Sequence, residues 1–187
     1  MPNWCNNYVT IEGSKEKIKT IWDEVKKEKN GFLNYLVPMP DELKDTISPT
    51  PKKGSANYKK SQPIIDGVDN WYDWRVKNWG TKWDVSDISH LEYYEEDNKA
   101  YIKGWYDTAW SPPLQCFDTF QKKHNDIYIK NLYFEGGCDF AGIYSTFGRD
   151  DFIIPSDYKA DDFLKAGRNT VIGQLDECFN IGEYYDE

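Results

Sequence analysis

The residues best suited to chemistry are concentrated in WYDWRVKNWGTKWD, residues 71–84, which holds four of the chain's eight tryptophans between charged and amide side chains. Flat indoles beside guanidinium, ammonium and amide groups stack on a planar ligand and neutralise an anionic one. A second block, Asp107-Thr108-Ala109-Trp110-Ser111, adds a carboxylate, hydroxyls and a further indole. If the two blocks meet, Trp74, Arg75, Asn78, Trp79, Thr81, Lys82, Trp83, Asp107, Trp110 and Ser111 form a concave patch for a nucleotide-like small molecule. Lys82 and Arg75 would hold its anionic group, and Trp79, Trp83 or Trp110 would stack on its base. The competing arrangement is plain packing, in which the same residues pin a helix to a sheet and Lys82 bonds Asp84 or Asp107.

Catalysis has weaker support. Asp73, Asp84, Asp107 and Asp139 form no spacing pattern with a base or metal ligand, and GxSxG, GxxxxGK[ST] and GxGxxG are all missing. Cys138, after Gly136-Gly137, reads as part of a hairpin turn rather than a nucleophile. His124 reads as a favourable charge near a helix end. Cys5, Cys116, Cys138 and Cys178 include no CxxC pair, so neither a metal nor a cofactor is expected. A net charge of −9 argues against a surface that coats nucleic acid. It favours a basic protein partner, and the acids Asp84, Asp87, Glu92, Glu95, Glu96 and Asp97 would imitate phosphates on a sheet edge. A second function class is therefore an acidic inhibitor that blocks a basic protein surface.

The elements that position these residues follow from periodicity. Residues 3–12 alternate as a strand, with Cys5, Asn7, Val9 and Ile11 on one face. Ser14 caps a helix whose core stripe is Ile18, Ile21, Trp22 and Val25, ended by Asn30-Gly31. Residues 32–37, closed by Pro38 and Pro40, read as a second strand, giving a right-handed crossover. Residues 41–70 have the proline, glycine and lysine content of a surface insertion, with Lys52, Lys53, Lys59 and Lys60 as either a basic flap or solvated loop. Asn70 as N-cap, Asp73 three residues on and Gly80 past the end delimit a helix Trp71–Trp79, with Tyr72, Val76 and Trp79 on its core-facing stripe.

Residues 85–95 and 100–108 form a hairpin, and Tyr101, Lys103, Trp105 and Asp107 share one polar, aromatic face. Ser111 is expected to cap the next helix with Pro112 in its first position, and Leu114, Phe117, Phe120 or Gln121, and His124 along one side. Strands are expected at 127–134, 140–147 and 152–154. A final helix at 170–179 carries Val171, Ile172, Leu175 and Phe179, either against the main domain or against a second copy of the chain. The expected division is a domain 1–155 and a C-terminal extension 156–187. The opening MPNWCNNYVTIEG has no basic region followed by an apolar run, and no stretch is apolar enough to span a membrane, so a cytoplasmic protein with reduced thiols is expected.

The blocks MPNWCNN, NYLVPMPDEL, WYDWRVKNWGTKWD, DTAWSPP and YFEGGCDFAG, in that order over residues 1–147, resemble the YubB-like family of plasmid and phage proteins. The resemblance implies a ferredoxin-like α+β sandwich, its mostly antiparallel sheet covered on one face by the helices after the first and fourth strands. The Trp-rich helix and lysine loop would be insertions into that plan. It implies a mobile-element setting, in which either function class would serve counter-defence, the inhibitor by blocking a host defence protein; the family brings no established activity and no catalytic residues.

Overall fold

The computed structural model describes residues 3–27, 31–52, 54, 55, 63–146 and 148–185. Its centre is β1, Trp4–Ser14, whose strict alternation buries Cys5, Asn7, Val9 and Ile11. Ser14 ends the strand and caps α1, Lys15–Val25, by accepting the Lys17 N–H. Ile18, Ile21 and Val25 of α1 are buried on the sheet, each contributing about 2 kcal/mol of apolar burial.

Residues 32–37 depart from expectation. Phe32–Leu36 is a short helix, α2, rather than a strand, so no crossover returns to the sheet there. Its cause is remote. The Asp84 carboxylate accepts the backbone N–H groups of Leu33 (2.7 Å) and Asn34 (3.0 Å), acting as the N-terminal cap that Gly31 lacks a side chain to supply. Among the described residues of the lysine-bearing insertion, the regular structure is one 3-10 turn at Asp41–Leu43 and an isolated antiparallel bridge between Ile65 and Val68. Asn30, Lys53, Lys59 and Lys60 lie outside the described residues, so the basic flap does too.

The Trp-rich helix, α3, runs Trp71–Trp79 as its caps dictate. Asn70 accepts the Asp73 N–H (2.9 Å), its amide donates to the Asp73 carboxylate, and Gly80 closes the end at φ 85°. β2, Leu91–Glu96, and β3, Lys99–Ala109, form the hairpin, with β2 starting later than residue 85. α4 spans Leu114–Gln121. Ser111 does not cap it, because its hydroxyl donates instead to the Gly80 carbonyl. β4, Tyr128–Glu135, β5, Phe140–Ser145, and β6, Arg149–Ile153, complete a sheet of order β2-β3-β1-β4-β5-β6 in which every neighbouring pair is antiparallel.

The first face of the sheet meets α1, α2, α3 and α4 in the larger core. Within it lies a buried polar chain. Asn7 donates to the Cys5 carbonyl and Thr108 Oγ1, Asn131 donates to Asn7, and Tyr106 donates to Asn131. Satisfied in this way, these groups bind the three central strands together instead of penalising burial.

Helices cover both faces rather than one. α5, Ala160–Leu164, α6, Val171–Phe179, and α7, Ile181–Tyr184, pack on the second face. Their Phe163, Leu175 and Ile181 form a second core with Leu132, Phe134, Ala141 and Ile143. The apolar stripe of residues 170–179 is thus spent on the chain's own sheet, with Thr170 as its cap. Among the described residues, no helix is long and apolar enough to cross a membrane.

Candidate functional site

The residues expected to form one indole-lined hollow divide into three groups. Trp74, Trp79 and Thr81 are interior, the Trp79 indole donating to the Val37 carbonyl and the Thr81 hydroxyl to the Ala109 carbonyl. The core side of α3 is Trp74 with Trp79, so Trp79 of the expected stripe is buried whereas Val76 is exposed and Trp74 goes inward in its place. Arg75, Asn78 and Ser111 are structural staples. The Arg75 guanidinium lies over Trp71 (5.1 Å) and Trp79 (4.9 Å), and its burial lowers its pKa against the opposing pull of Asp84. Asn78 bonds the Trp74 carbonyl inside its own helix.

The last group faces outward. Lys82 pairs with neither Asp84 nor Asp107 and sits over the Trp83 ring at 4.6 Å. Trp83 in turn packs against Trp4 (6.1 Å). Trp110 is 47% exposed, and Asp107 is exposed while accepting from Asn6 Nδ2 (2.8 Å). Trp74 and Trp79 are spent in the core, so these two indoles do not present a face to a ligand.

Three other expectations can be placed. Asp84 does not belong to the acidic edge, since it is half-buried and occupied by the α2 backbone. Cys138 is exposed, but its hydrogen bond with Glu135 raises its pKa, which opposes thiolate formation. His124 stacks on Phe120 at 4.3 Å past the end of α4.

A different hollow opens on the second face of the sheet, where α6 covers β4 and β5 and leaves β1 and β3 uncovered toward Trp105. Its volume is about 740 Å³. Strand register orders its floor. Trp105, Tyr8 and Leu132 form one row across β3, β1 and β4, and Lys103, Thr10 and Lys130 form the next. The two lysine backbones stand two strand spacings apart, about 10 Å. One wall is Gln174, Glu177 and Cys178 of α6 with Arg168 before it. Three cations against one carboxylate leave this hollow at a formal +2 in a chain of −9.

The side chains are set up for contact with a ligand. Lys130 Nζ donates to Gln174 Oε1 (2.7 Å), which orients it. Among the described residues Lys103 has no ion pair, although Glu92 stands opposite it in register. Trp105 meets Tyr8 edge-on (4.9 Å) and Phe179 (5.5 Å), and stays 41% exposed. Burial pushes the Cys178 thiol up to about 12, so it stays protonated at neutral pH and serves as wall rather than nucleophile. Ammonium groups spaced across a hydroxyl, with an indole and a phenol alongside, suit a ligand that is anionic at one end and planar at the other.

A smaller cavity of about 250 Å³ adjoins it, lined by Trp4, Asp87, His90, Trp105 and Asp107 among others. Trp105 is common to both. The sequence signal for this region was the alternation of Tyr101, Lys103, Trp105 and Asp107. Thr10, Lys130 and Arg168 had no comparable signal, because only sheet register and the packing of α6 bring them there.

Fold and site together define an α+β protein with a six-stranded antiparallel sheet and a cationic, aromatic hollow on one face. No family model matches the chain, and no curated protein matches it. Among solved structures, it is similar to the crystal structure of the protein api92 from Yersinia pseudotuberculosis, of family DUF1281. That likeness has a TM-score of 0.47 and 12% identity, and covers 82% of this chain and 98% of the other.

Proposed function

We propose that the chain is a binding protein rather than an enzyme, and that it holds a nucleotide-like anion in the hollow over β3, β1 and β4. The observation carrying this is the convergence of Lys103, Lys130 and Arg168 with Tyr8 and Trp105 around one cavity of about 740 Å³, within the size range of small-molecule sites. Phosphate would sit on the lysine row and a base against the aromatic row. In the mobile-element setting that the resemblance implies, the role we assign is sequestration of a host nucleotide. The ferredoxin-like plan is part of the same proposal, supported by the order β1–α1–β2–β3–α4–β4, with α2 and α3 inserted between α1 and β2, and by β1 lying between β3 and β4.

Calorimetric titration of the full chain with nucleoside 5′-phosphates at low and high salt tests the site. Binding should weaken as salt rises, and Lys103→Ala with Lys130→Ala should weaken it at least about tenfold, the loss of charge-assisted bonds. Absence of nucleotide binding, or binding indifferent to both lysines, overturns the assignment. The alternative class rests on β2 being an edge strand that exposes Glu92, Glu95, Glu96 and Asp97. It predicts competition with nucleic acid for a basic host protein, without dependence on Lys103.

A further inference from the structure

The two cavities that share Trp105 define a direction along the sheet. On the second face, β3 presents Lys103, then Trp105, then Asp107, a cation, an indole and a carboxylate at every second residue. β1 runs alongside with Thr10, Tyr8 and Asn6, opposite those three in register. From the Lys103 position to the Asp107 position is about 13 Å, four strand residues. This matches an extended nucleoside monophosphate from its phosphate to the far edge of its base, once a hydrogen bond is added at either end.

The far end is built to accept hydrogen bonds. Asn6 Nδ2 donates to Asp107 Oδ1 at 2.8 Å, which fixes the carboxylate. Among the described residues Oδ2 has no partner, and Asp107 lines the smaller cavity beside Trp105. An ionised carboxylate only accepts. A base edge that offers an amino group satisfies it, whereas an edge that offers a carbonyl at the same place sets two acceptors against each other.

We propose that the occupant is a nucleotide whose base bears an exocyclic amino group, with its phosphate on Lys103 and Lys130, its ring against Trp105 and its amino edge on Asp107. This rests on the assignment of the larger cavity as a nucleotide site and adds specificity to it. Asp107 is then the specificity residue and Trp105 the hinge between the two ends.

Two matched pairs test it by calorimetry on the full chain. Cytidine and uridine 5′-monophosphates differ at C4, amino against carbonyl, and at N3, which carries a hydrogen only in uracil; guanosine and inosine 5′-monophosphates differ by one amino group. The amino-bearing member of each pair should bind about tenfold more tightly, the effect of one hydrogen bond to a charged acceptor. Asp107→Ala should remove that preference while leaving the salt dependence intact, and near-ultraviolet circular dichroism checks that the exposed substitution leaves the fold unchanged. If all four bind alike and Lys103→Ala weakens them together, the orientation proposed here is wrong and the anion site stands. A preference that survives Asp107→Ala also overturns it. If none of the four binds, both proposals fall.

Discussion

Asp84→Ala is the substitution that tests how this chain holds its first face together. Three backbone donors converge on that carboxylate, Leu33 (2.7 Å), Asn34 (3.0 Å) and Val85 (2.8 Å). Removing it uncaps α2, a loss of about 1 to 2 kcal/mol by analogy with other N-caps. The Val85 bond adds about 1.5 kcal/mol, as expected for a donor on a charged acceptor. Relief of the desolvation that raises the Asp84 carboxyl offsets part of this, so a net loss of about 2 to 3 kcal/mol is expected. Gly31 supplies a second perturbation. It stands at φ +70°, and a Cβ built there lies 2.2 Å from Asp84 Oδ2. Gly31→Ala should therefore cost about 1 kcal/mol for its backbone and about 1 to 3 kcal/mol for crowding the carboxylate. With alanine at both positions the crowding disappears, so the double-mutant cycle should show a coupling of about 1 to 2 kcal/mol. Urea denaturation followed by tryptophan fluorescence measures all four corners, with the slope checked for constancy. An Asp84→Ala loss under about 0.5 kcal/mol, the range of ordinary surface changes, refutes the capping argument, as does strict additivity.

Two further outcomes are expected. Burial raises the Asp84 carboxyl above its ordinary 3.8, so the folded chain holds that proton more tightly than the unfolded one. Stability of the parent relative to Asp84→Asn should therefore grow as pH falls through the window between the raised value and 3.8, and a difference that shrinks there contradicts the sign. Thiol labelling of the native protein should reach exposed Cys138 first, faster as pH rises because that thiol is raised, and should spare buried Cys5 and Cys116 until unfolding. Early modification of Cys116 would falsify the packing described for α4 against α2.

What the sequence made legible was local. α3 could be delimited to the residue because Asn70, Asp73 and Gly80 are within one turn of its ends. β1 and α1 were readable because alternation and helical stripe change over at Ser14, which also caps. α2 was not, because FLNYL is apolar enough for either state and its cap lies some fifty residues later, at Asp84. Ser111 had the right type for a cap but bonds Gly80, a partner that exists only after α3 docks. The same division holds for the site. Clustered tryptophans were conspicuous, yet indoles bring the largest apolar area to a core, and Trp79 is fully buried. The open hollow draws two residues from each of β1, β3 and β4, with Arg168 and three residues of α6, so its composition stays invisible until register is known.

The outer strands carry a consequence of their own. A six-stranded sheet that does not close has two margins where another chain's strand could dock. β2 meets that risk with LEYYEE and β6 with RDDFI, so each unpaired margin bears carboxylates. Two copies meeting margin to margin would bring like charges together, and side-by-side lamination is discouraged at both ends. Part of the chain's negative balance thus acts as a stop signal for sheet growth.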